Sequence, residues 1–371
     1  MRGKIILEEH VGMPEDNPVE RLRLASRNSE DLAKALLEIH GARLDEMNAN
    51  GVEMAIMSQN PPGPQGIRNP KAAEEYAVRS NNYIANLVDK APERFSAFAG
   101  VSMHDPANAA AELTRCVKEL GMVGVMLHDA QEYLDADGAV KEQFYDDPKY
   151  DTFWATVESL DVPVYLHPKP PIPQEFLRLY KTRPWLVGPT FSFTVDSSFH
   201  ALAMCSSGLF DRFPKLQMIL GHMGELLLGQ LGRIDHWLEK RDRGRGLPAK
   251  KTLREYLESN VSITTAGYFC TPPLLNAITE IGVDRVLFSV DTPYENITEG
   301  STWFDTLPVN QASIVKMGRN NTLKLFPRLE GRLRSSEVEK LQKDRSRVLF
   351  TTNPGFEIPV ETCPRTGGAS I

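Results

Sequence analysis

Near the start of the chain a carboxylate and an imidazole stand two residues apart, Glu8 and His10. They follow the apolar run Ile5-Ile6-Leu7, so on a strand both project to one face and Glu9 to the other. At the end of a strand such a pair can hold one divalent metal ion; it can equally be an ion pair at the rim of a sheet. His167 ends Val164-Tyr165-Leu166-His167, where a buried structural histidine is the plainer alternative. Asp291 follows Val286-Leu287-Phe288-Ser289-Val290, where capping of the next helix is the competing role. His222 follows Met218-Ile219-Leu220-Gly221, and Glu225 lies one helical turn further on, able to orient the imidazole and raise its pKa. Singly these signals are weak. Together they put Glu8, His10, His167 and Asp291 at the ends of three apolar runs, with His222 on a fourth. A mixed nitrogen and oxygen set with an open position is what a catalytic Zn2+ or Mn2+ site requires. His128 and Asp129 end a further run, Gly124-Val125-Met126-Leu127.

The elements that must position these residues alternate. Short β-branched or apolar runs predict strands at Lys4–Glu9, Glu53–Ser58, Phe95–Val101, Val123–His128, Val162–His167, Gln217–Gly221, Val261–Thr265 and Arg285–Val290. Helical periodicity falls between them, at Asp31–Asn48, Lys71–Lys90, Pro106–Leu120, Tyr150–Leu160, Gly224–Lys240, Thr252–Ser259 and Pro273–Ile281, with a last helix at about Val309–Phe326. Asp105-Pro106 is an N-cap followed by proline in the first turn, and Gly121 is a stop. Strands apolar throughout belong to parallel sheets covered on both faces. Eight of them alternating with helices predict an α/β fold, the (β/α)8 TIM barrel, whose chemistry sits at the C-terminal strand ends. The long segment after His167, rich in proline and running through Trp185 to Phe193, should lie over that mouth as a stiff lid. We expect a catalytic domain over residues 1–327 and an extension over residues 328–371, charged at first, with a capping-box pattern at Ser336 to Glu339, then rich in Pro, Gly and Thr.

Composition excludes several classes. Of 371 residues 41% are hydrophobic and 25% charged, as in an ordinary globular protein, and a net charge of -7 argues against a nucleic-acid binder. No stretch reaches the roughly 18 apolar residues of a membrane span, and the apolar run before Glu8 is too short for a signal peptide. Cys116, Cys205, Cys270 and Cys363 are scattered, as in a cytoplasmic protein with reduced thiols. With no GxGxxG after a strand and no P-loop, no organic cofactor is expected.

Six segments occur in order: Glu8-Glu9-His10, Asn60-Pro61-Pro62-Gly63-Pro64-Gln65-Gly66, Tyr165-Leu166-His167-Pro168, Gly221-His222-Met223-Gly224-Glu225, Arg233-Ile234-Asp235-His236-Trp237 and Phe288-Ser289-Val290-Asp291-Thr292-Pro293-Tyr294-Glu295. From Met1 to about Phe326 the chain thus resembles the aromatic-acid decarboxylases of the amidohydrolase superfamily, the group of the γ-resorcylate, 2,3-dihydroxybenzoate, salicylate and 6-methylsalicylate enzymes. The resemblance implies a carboxy-lyase, releasing a phenol and CO2 from an ortho-hydroxybenzoic acid without oxidation. It implies one divalent ion (Zn2+ or Mn2+, with Mg2+ a third option) on Glu8, His10, His167 and Asp291. By the same analogy Asp291 delivers the proton to the ring, His222 with Glu225 forms an acid/base pair, and Arg233 binds substrate. The expected partners are a small aromatic acid and further copies of the chain, as a dimer or tetramer, with neither nucleic acid nor membrane. His128 stands where the family pattern has Asn, so it is a second substrate-binding candidate and a source of altered preference. The main alternative is a metal-dependent hydrolase of an ester, lactone or amide; those enzymes commonly carry His-x-His on the first strand, whereas this chain carries Glu-x-His. A non-catalytic barrel used as a scaffold is a third class, and it would predict losses among the metal set.

Overall fold

Each of the eight apolar runs forms a parallel strand in a computed structural model that describes residues 1–16 and 29–333. The strands are β1 (Lys4–Val11), β2 (Val52–Gln59), β3 (Phe95–Ala99), β4 (Gly124–His128), β7 (Val164–His167), β8 (Met218–Leu220), β9 (Val261–Thr264) and β10 (Val286–Leu287). They pair in chain order as one parallel sheet. Between β4 and β7 the antiparallel hairpin β5 (Gln131–Leu134) and β6 (Val140–Gln143) stands apart from it. The sheet curls until its two edges meet: Glu9 bridges Thr292, and the His10 N–H donates to the Thr292 carbonyl at 2.7 Å. This α/β arrangement is consistent with a (β/α)8 barrel. The capping-box pattern at Ser336, Cys363 and the Pro/Gly/Thr-rich end lie outside the described residues.

A β-bulge in β1 decides where its chemical side chains point. Ile6 pairs with Ala55 and Glu9 with Met57, so three steps along β1 match two along β2. Below the bulge Ile5 and Leu7 face the concave side, packing with Met54, Ile56, Phe98, Met126, Tyr165, Ile219 and Leu287. Ile6 faces the helices, within the larger core that also holds Trp154 and Phe153. Unbroken alternation would send Glu8 outward with Ile6; the extra residue turns Glu8 and His10 inward and Glu9 outward. Leu7 and Glu8 then have no ladder partner for their N–H groups, and both donate to Ser289 Oγ, at 3.1 and 3.0 Å. At the far end of the sheet Phe326, Leu329 and Leu333 seal the concave cluster.

Helices alternate with the strands, with several corrections to the expected spans. The span Asp31–Asn48 is two helices, Ser29–Leu37 and Ala42–Ala49, because the Glu38 carboxylate takes the N–H groups of Gly41 and Ala42 and starts a second helix. The segment after His222 begins its helix only at Leu227, since Met223 and Glu225 are left-handed. Val309–Phe326 is helical from Gln311–Val315 through a π turn at Lys316–Asn320 to Asn321–Leu325. The proline-rich lid is a run of short turns leading into the unforeseen helix Ser192–Ser206. Asp105 caps Pro106–Lys118 as expected, accepting from the Ala107 and Asn108 N–H groups. No helix among the described residues is long and apolar enough to cross a membrane.

Ser289→Ala should therefore leave two buried N–H groups on β1 without an acceptor, at about 1–3 kcal/mol each. Urea denaturation should show a lower midpoint with an unchanged slope. An unchanged midpoint would mean that the bulge is held by the backbone alone.

Candidate active site

At the C-terminal ends of β1, β7 and β10 the chain gathers Glu8, His10, His167 and Asp291, with ligand atoms all within 4.8 Å of one another. Each imidazole is tied from behind. His10 Nδ1 lies 3.3 Å from the Gln59 carbonyl and His167 Nδ1 2.7 Å from the Pro168 carbonyl. A carbonyl only accepts, so each Nδ1 carries a proton, and in the neutral ring each Nε2 then presents a lone pair. Those lone pairs face oxygens: His10 Nε2 is 3.1 Å from Asp291 Oδ1, and His167 Nε2 is 3.1 Å from Glu8 Oε1. His10 Nε2, Glu8 Oε1 and Asp291 Oδ1 are buried without a hydrogen-bond partner. Four electron-pair donors aimed at one another repel unless a cation or protons sit among them. Two carboxylates and two neutral imidazoles fit one divalent ion.

The charges around the cluster are strongly biased. Burial pushes Asp291 well above the ordinary carboxylate range, and the negative charge of Glu8 adds to this. Burial would also raise Glu8, but the positive charge of His222, 3.2 Å from Oε1, outweighs it and holds that carboxyl low. His10 is pushed down to about 4 by burial, which keeps it neutral. His222 goes the other way. Burial opposes its charge, yet Glu225, 2.6 Å from Nδ1, and Glu8, 3.2 Å from Nε2, hold its pKa well above the usual value. Glu9, turned outward toward Arg43, is raised to about 8 by burial.

Backbone geometry sets these side chains as closely as their chemistry does. His222, Met223 and Glu225 have φ of 50°, 59° and 57°, so one tight left-handed corner turns the His222–Glu225 pair toward Glu8. Asp291 has φ 83° and caps no helix; the following helix, Ile297–Asp305, is capped by Asn296. Gly267, at φ +63°, passes so close that an added Cβ would lie 2.9 Å from His222 Cδ2 and 3.1 Å from Asp291 Oδ2.

The remaining candidates divide. His128 is buried on β4 beside His167, ring centroids 5.2 Å apart, and neither of its ring nitrogens has a partner. Arg233 lies exposed on the helix Leu227–Trp237 and makes no hydrogen bond or ion pair among the described residues. Three features escaped the sequence analysis. The Tyr145 N–H donates to His200 Nε2 at 3.1 Å, so His200 Nδ1 donates to Asp129 at 2.8 Å and pins the turn after His128. Lys169, fully buried, is 2.6 Å from Glu142 and 3.4 Å from Glu132, tying the segment after His167 to the β5–β6 hairpin. Tyr165 donates to Glu8 Oε2 from below. Tyr165 could have been found, since it lies two residues before His167 on one strand and must share its face. His200 could not, because its helix has no polar stripe to mark the residue.

Burial and the charge of Glu8 favour a proton on Asp291, and a cation bound there must displace it. Apparent affinity for a divalent ion should therefore rise as pH climbs through the raised Asp291 pKa, with proton release on binding. Calorimetry in buffers of different ionisation heat would count the protons. A count of zero would show that Asp291 is already ionised.

The family model described as "Amidohydrolase" matches residues 27–328. The γ-resorcylate decarboxylase of Rhizobium radiobacter is 43% identical over 335 residues, covering 90% of this chain and 100% of that protein. That of Rhodococcus jostii is 41% identical over 326 residues, covering 88% and 99%. Among solved structures, 2,6-dihydroxybenzoate decarboxylase complexed with 2,6-dihydroxybenzoate superposes with a TM-score of 0.82 at 42% identity, covering 88% of this chain and 100% of that one. The dihydroxybenzoic acid decarboxylase of Polaromonas sp., with bound manganese and the inhibitor 2-nitroresorcinol, gives 0.82 at 41% identity, covering 88% and 97%.

Proposed function

We propose that this chain, which belongs to the amidohydrolase family and is a carboxy-lyase of hydroxybenzoic acids, acts on an acid of the γ-resorcylate type, a carboxyl group flanked by ring hydroxyls. The observation that carries the assignment of roles is Asp291: its carboxyl group sits within the ligand cluster, and burial with the charge of Glu8 raises its pKa, so an ion and a proton compete for it. An acid so placed suits a reaction whose hard step is protonation of a ring carbon.

In this proposal Glu8, His10, His167 and Asp291 hold one divalent ion, manganese or zinc, and the eight-stranded sheet is the closed barrel of the metal-dependent amidohydrolases. The ion would compensate the negative charge of the neighbouring carboxylate and hydroxyl oxygens of the acid, with no redox role and no organic cofactor. Once the acid is bound Asp291 is reprotonated, and it gives that proton to the carbon bearing the carboxyl group. The bond from that carbon to the carboxylate then breaks, its electron pair returns to the ring, and CO2 leaves. Solvent restores the proton, so one proton is consumed per turnover. His222, charged and fixed by Glu225, holds positive potential beside Glu8 and serves as the second acid/base group. His128 offers its unpartnered nitrogens to a ring substituent. Arg233, with no ionic partner among the described residues, takes the anionic end of the substrate. We further assign residues 1–327 to the catalytic domain and residues 328–371 to an extension, and propose a cytoplasmic homo-oligomer.

Two substitutions test this. Asp291→Asn keeps the shape and one ligand oxygen but carries no acidic proton. Turnover of 2,6-dihydroxybenzoate should fall by about 10² or more, with manganese content little changed. In D2O the wild-type protein should place deuterium on the carbon that lost the carboxyl group. Product without deuterium there would remove Asp291 from its role, and turnover of neutral esters alone would favour a hydrolase. His128→Asn should leave metal content intact while changing the ratio of kcat/KM values across a panel of ortho-hydroxybenzoates by about tenfold, the worth of one good hydrogen bond. An unaltered ratio would make His128 mere packing.

A further inference from the structure

Glu8 is fully buried, and its two oxygens have different surroundings. Oε1 is turned to His167 and His222. Oε2 accepts from the Tyr165 hydroxyl, which also lies 2.9 Å from Thr264 Oγ1. The Ala266 N–H donates to Thr264 Oγ1 at 3.3 Å, and the Tyr165 proton is committed to the carboxylate. The Thr264 hydroxyl proton must then point to Tyr165 Oη. A one-way series results, from the Ala266 N–H through Thr264 and Tyr165 to Glu8, crossing from β9 through β7 to β1. Hydrogen bonds so aligned polarise and strengthen one another in a dry interior. Gly221 on the neighbouring segment closes the remaining side: an added Cβ would lie 3.0 Å from Glu8 Oε2 and 3.2 Å from Tyr165 Oη.

We infer that Tyr165, backed by Thr264, is a positioning residue that holds Glu8 by Oε2 and leaves Oε1 as its one ligand atom for the divalent ion. The inference rests on the metal-centre reading proposed above. Without the phenol nothing among the described residues donates to Oε2, and a carboxylate free to rotate about its last torsion would offer either oxygen or neither. Tyr165 touches neither the ion nor the substrate; its effect is on where Glu8 stands. Partners behind metal ligands typically account for 10–100-fold in affinity.

The test uses the full chain stripped of metal, with Mn2+ as probe and competition against a chelating indicator as readout. Tyr165→Phe keeps the ring that packs edge-on to Phe98 with centroids 5.8 Å apart, and should weaken Mn2+ about 10–100-fold. Thr264→Val should weaken it in the same direction by less. The double variant should bind no more weakly than Tyr165→Phe alone, because Thr264 acts only through the phenol. At Mn2+ concentrations that saturate each variant, kcat should return close to the wild-type value. A purely structural role would instead lower kcat irrespective of Mn2+. Wild-type affinity in Tyr165→Phe, or additive losses in the double variant, would overturn the inference while leaving the metal centre standing. If Tyr165→Phe fails to fold, Thr264→Val at wild-type affinity overturns it equally. A wild-type protein that takes up no Mn2+ would bring down the metal centre, and the anchoring of Glu8 with it.

Discussion

Electron-pair donors brought face to face in a dry site are the constraint on which the rest of this molecule turns. His10 and His167 are each protonated toward a backbone carbonyl, so their inner nitrogens have only lone pairs to show to Asp291 and Glu8. In a buried site this repulsion is not relieved by solvent. It is tolerable only because every member is tied elsewhere. His10 and His167 are held by main-chain oxygens, Glu8 by Tyr165, and Asp291 by a backbone in the left-handed region. The protein spends its structure on holding four like-natured atoms closer than they would choose. A centre of that kind selects for charge, because a compact positive ion adds an attraction to every member at once.

The scaffold meets this demand with small local departures from regularity. One extra residue in β1 moves Glu8 from the helix-facing core to the concave side, and the hydroxyl of Ser289 takes over the hydrogen bonds that the bulge breaks. The same serine stands next to the point where the sheet meets itself, at Glu9 and Thr292. The seam between the first and last strands and the placement of Glu8 thus share one serine. Beyond β4, the Asp129–His200 pair and the Lys169 carboxylate pairs fasten the loops over the mouth, outside the ring of ligands. Rigid strands carry the ligands, while loop clamps hold what stands around them.

The eight strands were legible because parallel strands covered on both faces are continuously apolar, and the four clustered side chains because they interrupt or end those runs with polar residues. Position two apart told correctly that Glu8 and His10 share a face. It could not tell which face, since that depends on a bulge set by register with β2. The split helix at Gly41 was hidden because a carboxylate three residues back, not a proline, breaks the periodicity. The hairpin at Gln131–Gln143 is too short and polar to stand out from a loop. His200 sits in a helix whose apolar residues run round its whole circumference, so nothing marks one side as special. What the sequence hid was mostly what holds ligands in place rather than the ligands themselves, because support comes from residues far apart in the chain that meet only after folding.

Left-handed backbone at residues other than glycine has a consequence for anyone redesigning this protein. His222, Met223, Glu225 and Asp291 all adopt it, and each such residue stores about 1 kcal/mol of conformational cost. A search for thermostability guided by backbone preference would flag these positions first and replace them with glycine or asparagine. It would gain melting temperature while dismantling the corner that carries His222 and Glu225. The trade-off between durability and activity is therefore concentrated in a few known places, and engineers can leave them alone and look for stability in the helices.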